Sequence, residues 1–463
     1  MFIGRKFELK ELENIYNSNK FELAVIYGRR RIGKTTLIQK FCEKKKTVFY
    51  VASQTSHEEN LRLFVKAYFD SIYPDMPAPS FNDYDEFFTF ITKHSNERII
   101  IVIDEYPYLA ESTPSISSTI QKFIDLNWKN SKIMMILSGS SMSFMENQVL
   151  GHKSPLYGRR TLQIKLEPFD LSDLKEFNWN YTNEELTIIY AVTGGIAEYL
   201  SYINPSISLK DNIVNMYLKK SGRMFEEPNN LLQQELREPS AYSTILEAIS
   251  IGKSTLNDIA LFSQSPTSKI VYYINNLLTP GIIKKEKPFG SDSTERKTIY
   301  LMADGAFTFW YRIVKPNLSL ITFGNGEKVY KEKVEPYLSS YMSHIWEDIC
   351  TRYLFRPSVV EKSPYLYSEA GRWWGTNPNL KQQIEVDIMS YNKGNILFGE
   401  CKWTNKAINL EELNKLINKT LFFKQNNRFF YLFSKSGFDK ELIKFAEGHK
   451  NIYLISLDDV LKI

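Results

Sequence analysis

The stretch LAVIYGRRRIGKTTLIQKF, residues 23–41, decides the first fold assignment. It opens on an apolar run of strand character and closes on a helical pattern, with glycine and basic residues between. Residues 28–35 read GRRRIGKT and match G-x-x-x-x-G-K-[ST] without a mismatch. Gly28 and Gly33 allow the turn that aims consecutive N–H groups, from Arg29, Arg30, Arg31 and Ile32 through to Thr36, at phosphate oxygens. The helix opening there adds its positive dipole end. Lys34 is expected to reach the β- and γ-phosphates and the Thr35 hydroxyl to complete a Mg²⁺ shell, so ATP and Mg²⁺ are the expected ligands.

The second half of such a site is an acid at the end of a buried strand. RIIIVIDEYPYL, residues 98–109, supplies it: Asp104 follows five apolar residues and Glu105 comes next. Asp104 is expected on the metal and Glu105 on the attacking water, which makes Lys34 and Glu105 the catalytic residues of an ATPase. Further apolar runs at 47–52 and 132–139 alternate with helical patterns. This is the signature of an α/β fold with a parallel sheet covered on both faces. The expected order is a P-loop NTPase core over 1–168, then a helical lid over 169–238.

Residues 239–315 read as three short amphipathic helices and a strand–turn–strand, the plan of a winged helix-turn-helix. Its wing carries Lys284, Lys285, Lys287, Arg296 and Lys297, a basic set able to grip phosphates, so DNA is a candidate partner alongside packing within the chain. A boundary is expected near KPNLSLITFGNGEK, residues 315–328, before a last domain over 330–463.

Bulk composition is compatible with all of this. The 463 residues are 43% hydrophobic and 24% charged, a soluble globular balance, and the net charge of +5 demands no nucleic-acid partner. Cys42, Cys350 and Cys401 lie far apart with no C-x-x-C pair, which argues against zinc and disulfides and fits a reducing cytoplasm. The longest apolar runs, such as 99–103, are too short to span a bilayer.

FIGRKFEL, GRRRIGKTT, IDEYPYL, LSGSSMSFM, YGRRTLQIKLEPF and TGGIAEYL follow in an order that resembles prokaryotic AAA+-related STAND ATPases. The resemblance implies that Ile3, Gly4 and Arg5 lie near the adenine and that Ser138 to Ser140 end a sensor strand beside the γ-phosphate. It makes Arg159 or Arg160 a candidate arginine finger. The family's Gly-Gly-Ile-Pro stands here as Gly194, Gly195, Ile196 and Ala197. Relatives of this kind work as homo-oligomeric rings or rest as monomers, and both states stay open.

Outside the P-loop, the chemistry concentrates between Glu385 and Lys402. IEVDIMSY places Asp387, and NILFGECKW places Glu400 and Lys402 on one strand face with Cys401 on the other. Asp387 and Glu400 together suit a divalent cation, and Lys402 suits a water attacking a phosphodiester. Glu385 shares a face with Asp387 and competes for the ligand role. This D-x₁₂-E-x-K pattern resembles the PD-(D/E)XK nuclease superfamily, with Glu347 in HIWEDIC as the supporting acid of the preceding helix and Val386 where the motif's name has proline. Trp373 and Trp374 just upstream suit either core packing or base stacking. Two functions follow: an ATP-dependent machine with a nuclease-like domain acting on DNA, or an ATP-dependent regulatory switch whose nuclease-like domain is inert.

Overall fold

A computed structural model describes residues 2–291, 297–379 and 381–462. The chain divides into two compact units, Met1–Phe169 with Ile196–Glu198, and Asp170–Gly195 with Tyr199–Ile463.

The first unit holds β1 (Glu22–Tyr27), β2 (Thr47–Val51), β3 (Ile99–Asp104), β4 (Ile133–Gly139) and β5 (Leu162–Lys165) in one parallel sheet, ordered β2-β3-β4-β1-β5. β1, β3 and β4 are buried at every residue, as continuous apolar runs must be when helices cover both faces. Alternate residues divide between two cores. Leu23, Val25, Ile101, Ile103, Met135 and Leu137 join the helices on one side, while Ala24, Ile26, Ile100, Val102, Met134 and Ile136 pack on the other. With β4 between β1 and β3, the carboxyl ends of these strands bring Gly28, Ser140 and Asp104 to one edge of the sheet. Ligands of open parallel sheets bind at that edge.

The second unit begins with helices that include Asn183–Thr193, Leu209–Tyr217 and Glu227–Glu235. Three more, Pro239–Ser250, Leu256–Phe262 and Thr267–Leu278, precede an antiparallel hairpin of β6 (Ile283–Glu286) and β7 (Ile299–Met302). Arg296, assigned to this hairpin from the sequence, lies outside the described residues. The stretch 315–328, where a boundary is expected, is mostly helical, with Leu318–Thr322 and Gly326–Val329 inside it. Its two glycines have separate causes. Gly324 takes a left-handed φ of 84° just past a helix end, whereas a Cβ on Gly326 would fall 1.9 Å from the Leu218 carbonyl oxygen.

The second sheet contains β8 (Gly371–Asn377), β9 (Gln382–Asn392), β10 (Asn395–Lys402), β11 (Asn427–Ser434) and β12 (Ile452–Ser456), ordered β12-β11-β10-β9-β8. β8, β9 and β10 run antiparallel, and β10, β11 and β12 run parallel. The helices Leu338–Leu354 and Leu410–Thr420 both pack on β10. Among the described residues no helix is long and apolar enough to cross a membrane.

Gly28 connects sheet and loop. The Leu166 amide donates to the Tyr27 carbonyl at 2.7 Å, and a Cβ on Gly28 would meet the Leu166 carbonyl oxygen at 2.5 Å. Gly28→Ala should therefore displace the residues after β5, lowering stability on the order of 1–3 kcal/mol in a thermal melt and weakening nucleotide affinity in parallel.

Candidate functional site

The loop between β1 and the helix Lys34–Cys42 turns through Arg31 at φ 70° and Gly33 at φ 96°. Lys34 is 6% exposed, and its Nζ donates to the carbonyls of Gly28 at 3.0 Å and Arg29 at 3.1 Å. Thr35 follows on the first turn, and its hydroxyl donates to Asp104 Oδ2 at 2.7 Å. Asp104 is 2% exposed, and its other oxygen accepts the Glu105 amide at 3.0 Å. The hydroxyl and carboxylate expected around one cation are thus in contact.

Glu105 occupies a left-handed backbone conformation, φ 52°, at the head of the helix Tyr106–Ser112. Its Oε2 accepts from the Ser140 hydroxyl at 2.9 Å and the Ser140 amide at 3.3 Å. Ser138, paired in register with Ile26 of β1, has a buried hydroxyl with no hydrogen-bond partner among the described residues. Asp104, Glu105 and Ser140 thus stand together at the carboxyl ends of β3 and β4.

Neighbouring segments brace the loop. Arg5, at φ 59°, donates to the Ile32 carbonyl at 3.3 Å and lies 4.4 Å over the Phe169 ring. Arg30 donates to the Tyr108 hydroxyl at 2.9 Å. The Arg31 carbonyl accepts the Glu198 amide at 3.1 Å, and its guanidinium lies 3.4 Å from the Glu198 carboxylate. Ala197 packs in this short segment beside Gly33, where the resembled family has proline. The two finger candidates differ in their partners. Arg159 grips both oxygens of Asp125, at 2.9 and 2.7 Å, while Arg160 donates to the Leu150 carbonyl at 3.3 Å.

In the second unit, β9 and β10 bring Asp387 and Glu400 together, and the helix Leu338–Leu354 adds Glu347. Burial, then the Glu400 and Glu347 charges, push the Asp387 carboxyl up to about 7, although its Oδ2 accepts the Cys401 amide at 2.7 Å. Burial would raise Glu400 too, but Lys419 and Lys402 hold it below its ordinary value. Lys402 meets Glu400 Oε1 at 2.5 Å and Lys419 meets Oε2 at 2.7 Å. Glu385, the competing ligand, is exposed and paired with Arg372 at 3.0 Å. Among the described residues, no group of three or more His, Cys, Asp or Glu is disposed to hold a metal. Trp373 packs on Phe422 and Phe423, while Trp374 carries Arg372 over its ring at 5.2 Å.

Ser140 as the holder of Glu105, Tyr108 and Lys419 were not identifiable from local pattern. Lys419 had a faint signal: it adjoins the buried positions Leu413, Leu416 and Thr420 of an amphipathic helix.

Comparison with known proteins agrees with the geometry of the first unit. Residues 2–203 match a family described as an ATPase domain predominantly from Archaea. An uncharacterized protein of Methanocaldococcus jannaschii is 32% identical over 403 residues, 87% of this chain and 88% of its own length. The chain belongs to this archaeal ATPase family. It is an ATP-binding protein of the P-loop ATPase type. A second protein of the same organism, named an uncharacterized ATP-binding protein, is 59% identical over 46 residues, 10% of this chain and 78% of its own length. The Walker-type ATPase of Pyrococcus abyssi shares the fold, with a TM-score of 0.50 and 20% identity over 67% of this chain and 96% of that one. Residues 310–416, which carry Glu347, Asp387, Glu400 and Lys402, match a family described as archaeal and bacterial proteins of unknown function.

The Asp387 carboxyl gives a pH test. A group whose folded value lies above its ordinary one favours the folded state while protonated and opposes it once ionised. That contribution is lost as pH rises from about 4 through about 7. Asp387→Asn should accordingly be more stable than the unaltered chain at pH 8, on the order of 2 kcal/mol, with the gap closing toward pH 4 in parallel thermal melts.

Proposed function

We propose that the first unit hydrolyses ATP and that its nucleotide state governs a nuclease-like second unit acting on DNA. The observation that carries the hydrolysis reading is the 2.7 Å contact between the Thr35 hydroxyl and the buried Asp104 carboxylate, with Glu105 beside it. Thr35 and Asp104 fit Mg²⁺, which would neutralise charge on the terminal phosphates. Lys34 would exchange the carbonyls of Gly28 and Arg29 for the β- and γ-phosphate oxygens. Glu105 would leave Ser140 to orient and deprotonate the attacking water. Ile3, Gly4 and Arg5 would border the adenine. In an oligomer, Arg160 is the better finger candidate, because Arg159 is held at both ends of its fork by Asp125.

The three helices and hairpin over 239–302 are read as a winged helix that packs within its own unit. Lys284, one of the basic groups of the wing, is paired with Glu286 at 2.7 Å and Asp348 at 2.5 Å, and Asn276 of the third helix donates to the Tyr242 hydroxyl at 2.7 Å, so both are engaged inside. Lys285 and Lys297 are exposed. In the second sheet, Asp387 and Glu400 are the pair that would hold a divalent cation, with Glu347 as the neighbouring acid, and a bound ion would supply polarisation of a scissile phosphate. Lys402 would orient the water. A specific observation favours the second reading, a regulatory switch with an inert domain: both Glu400 oxygens are held by lysines.

Glu105→Gln should keep nucleotide affinity within a few-fold and slow ATP turnover by about 100-fold or more, read by phosphate release and by titration with a fluorescent ADP analogue. Plasmid DNA incubated with Mg²⁺ or Mn²⁺, with and without ATP, separates the two readings of the second unit. Cleavage that disappears in Asp387→Ala supports the nuclease. Intact ATP turnover with uncut DNA in every condition leaves the switch.

A further inference from the structure

We infer that Arg30 is a catalytic residue for ATP hydrolysis supplied from within the P-loop itself, and that Tyr108 positions it; the inference rests on the hydrolysis reading above. Arg30 is the second of the four residues between Gly28 and Gly33. The Lys34 ammonium binds the two carbonyls just before it, those of Gly28 and Arg29, so Arg30 begins the crown of the loop. Its side chain is half-buried and is directed across the site. The guanidinium Nη2 donates to the Tyr108 hydroxyl at 2.9 Å. Tyr108 sits one helical turn beyond Glu105, its amide donating to the Glu105 carbonyl at 3.0 Å. The arginine thus spans from the phosphate loop to the helix that Glu105 heads.

That span follows the path of a terminal phosphate. A nucleotide whose β-phosphate lies in the amide cradle carries its γ-phosphate toward Asp104 and Glu105. In the step, the water oxygen bonds to the terminal phosphorus while the bond to the ADP β-phosphate oxygen breaks. The water proton passes to Glu105, and the guanidinium stays protonated throughout. Charge gathers on the equatorial and leaving oxygens, where a forked donor acts best. A guanidinium carries five N–H groups, so one can remain on Tyr108 while others meet phosphate. Tyr108 fixes the rotamer beforehand, which lowers the cost of ordering a long side chain at the moment of reaction.

The test measures ATP turnover and ADP-analogue affinity for Arg30→Ala, Arg30→Lys and Tyr108→Phe in the full chain. Arg30→Ala should lower kcat by about 100-fold or more with ADP affinity kept within a few-fold. Arg30→Lys should recover part of the rate, and Tyr108→Phe should lower kcat several-fold at unchanged KM. Turnover of Arg30→Ala within about threefold of the unaltered chain overturns the inference, as does a loss of affinity that accounts for the whole deficit. If Arg30→Ala does not fold, the other two variants decide: an unaltered kcat in both overturns it. Absence of turnover in the unaltered chain sinks the hydrolysis reading itself, and this inference with it.

Discussion

A buried ammonium held by carbonyl dipoles is the constraint on which the first unit depends. Lys34 is 6% exposed, and the carbonyls of Gly28 and Arg29 are its partners in the loop. Burying a full charge is costly unless it is paired and hydrogen-bonded. A polyphosphate therefore has a ready advantage over those carbonyls, and the loop's amides and helix dipole point the same way. Much of the surrounding fold serves to keep this geometry. Leu166 closes over Gly28, Arg5 reaches the Ile32 carbonyl, and Glu198 caps Arg31. The segment 196–198 groups with the first unit although the chain on either side belongs to the second.

What was legible in the sequence was contiguous. Residues 28–35 are one contiguous run from loop into helix, and β1, β3 and β4 are apolar runs buried at every position, so local reading was sufficient for them. Contacts across long sequence separations were not legible: Arg30 with Tyr108, 78 residues apart, or Glu105 with Ser140, 35 apart. Lys419 is only 19 residues from Glu400, but it comes from a helix and its role depends on how that helix lies on β10. Glu385 and Asp387 share a strand face, and only the three-dimensional packing gives one to Arg372 and the other to Glu400.

Glycine serves two different ends in the chain's middle. KPNLSLITFGNGEK carries proline and two glycines, the usual composition of a linker. One glycine does end a helix, but Gly326 is small because backbone passes against it, not because the chain is free there. β8 was missed for a related reason. GRWWGTN has glycines at both ends of a tryptophan pair and a half-buried pattern without clean alternation, since it is the last strand of its sheet. β12, only five residues long and half-buried throughout, lacks the length that makes a strand stand out.

The two units solve opposite electrostatic problems. In the first, a buried cation faces an edge built for an anion. In the second, Glu400, 8% exposed, needs counter-charge, and Lys402 and Lys419 provide it from the same chain. With Glu400 ionised between them, Asp387 finds its own charge opposed by Glu400 and Glu347, and it retains its proton to higher pH. Two lysines on Glu400 and a proton on Asp387 therefore do the charge balancing that a divalent cation would do. Any cation that took up Asp387 and Glu400 would have to release that proton and loosen both ammoniums.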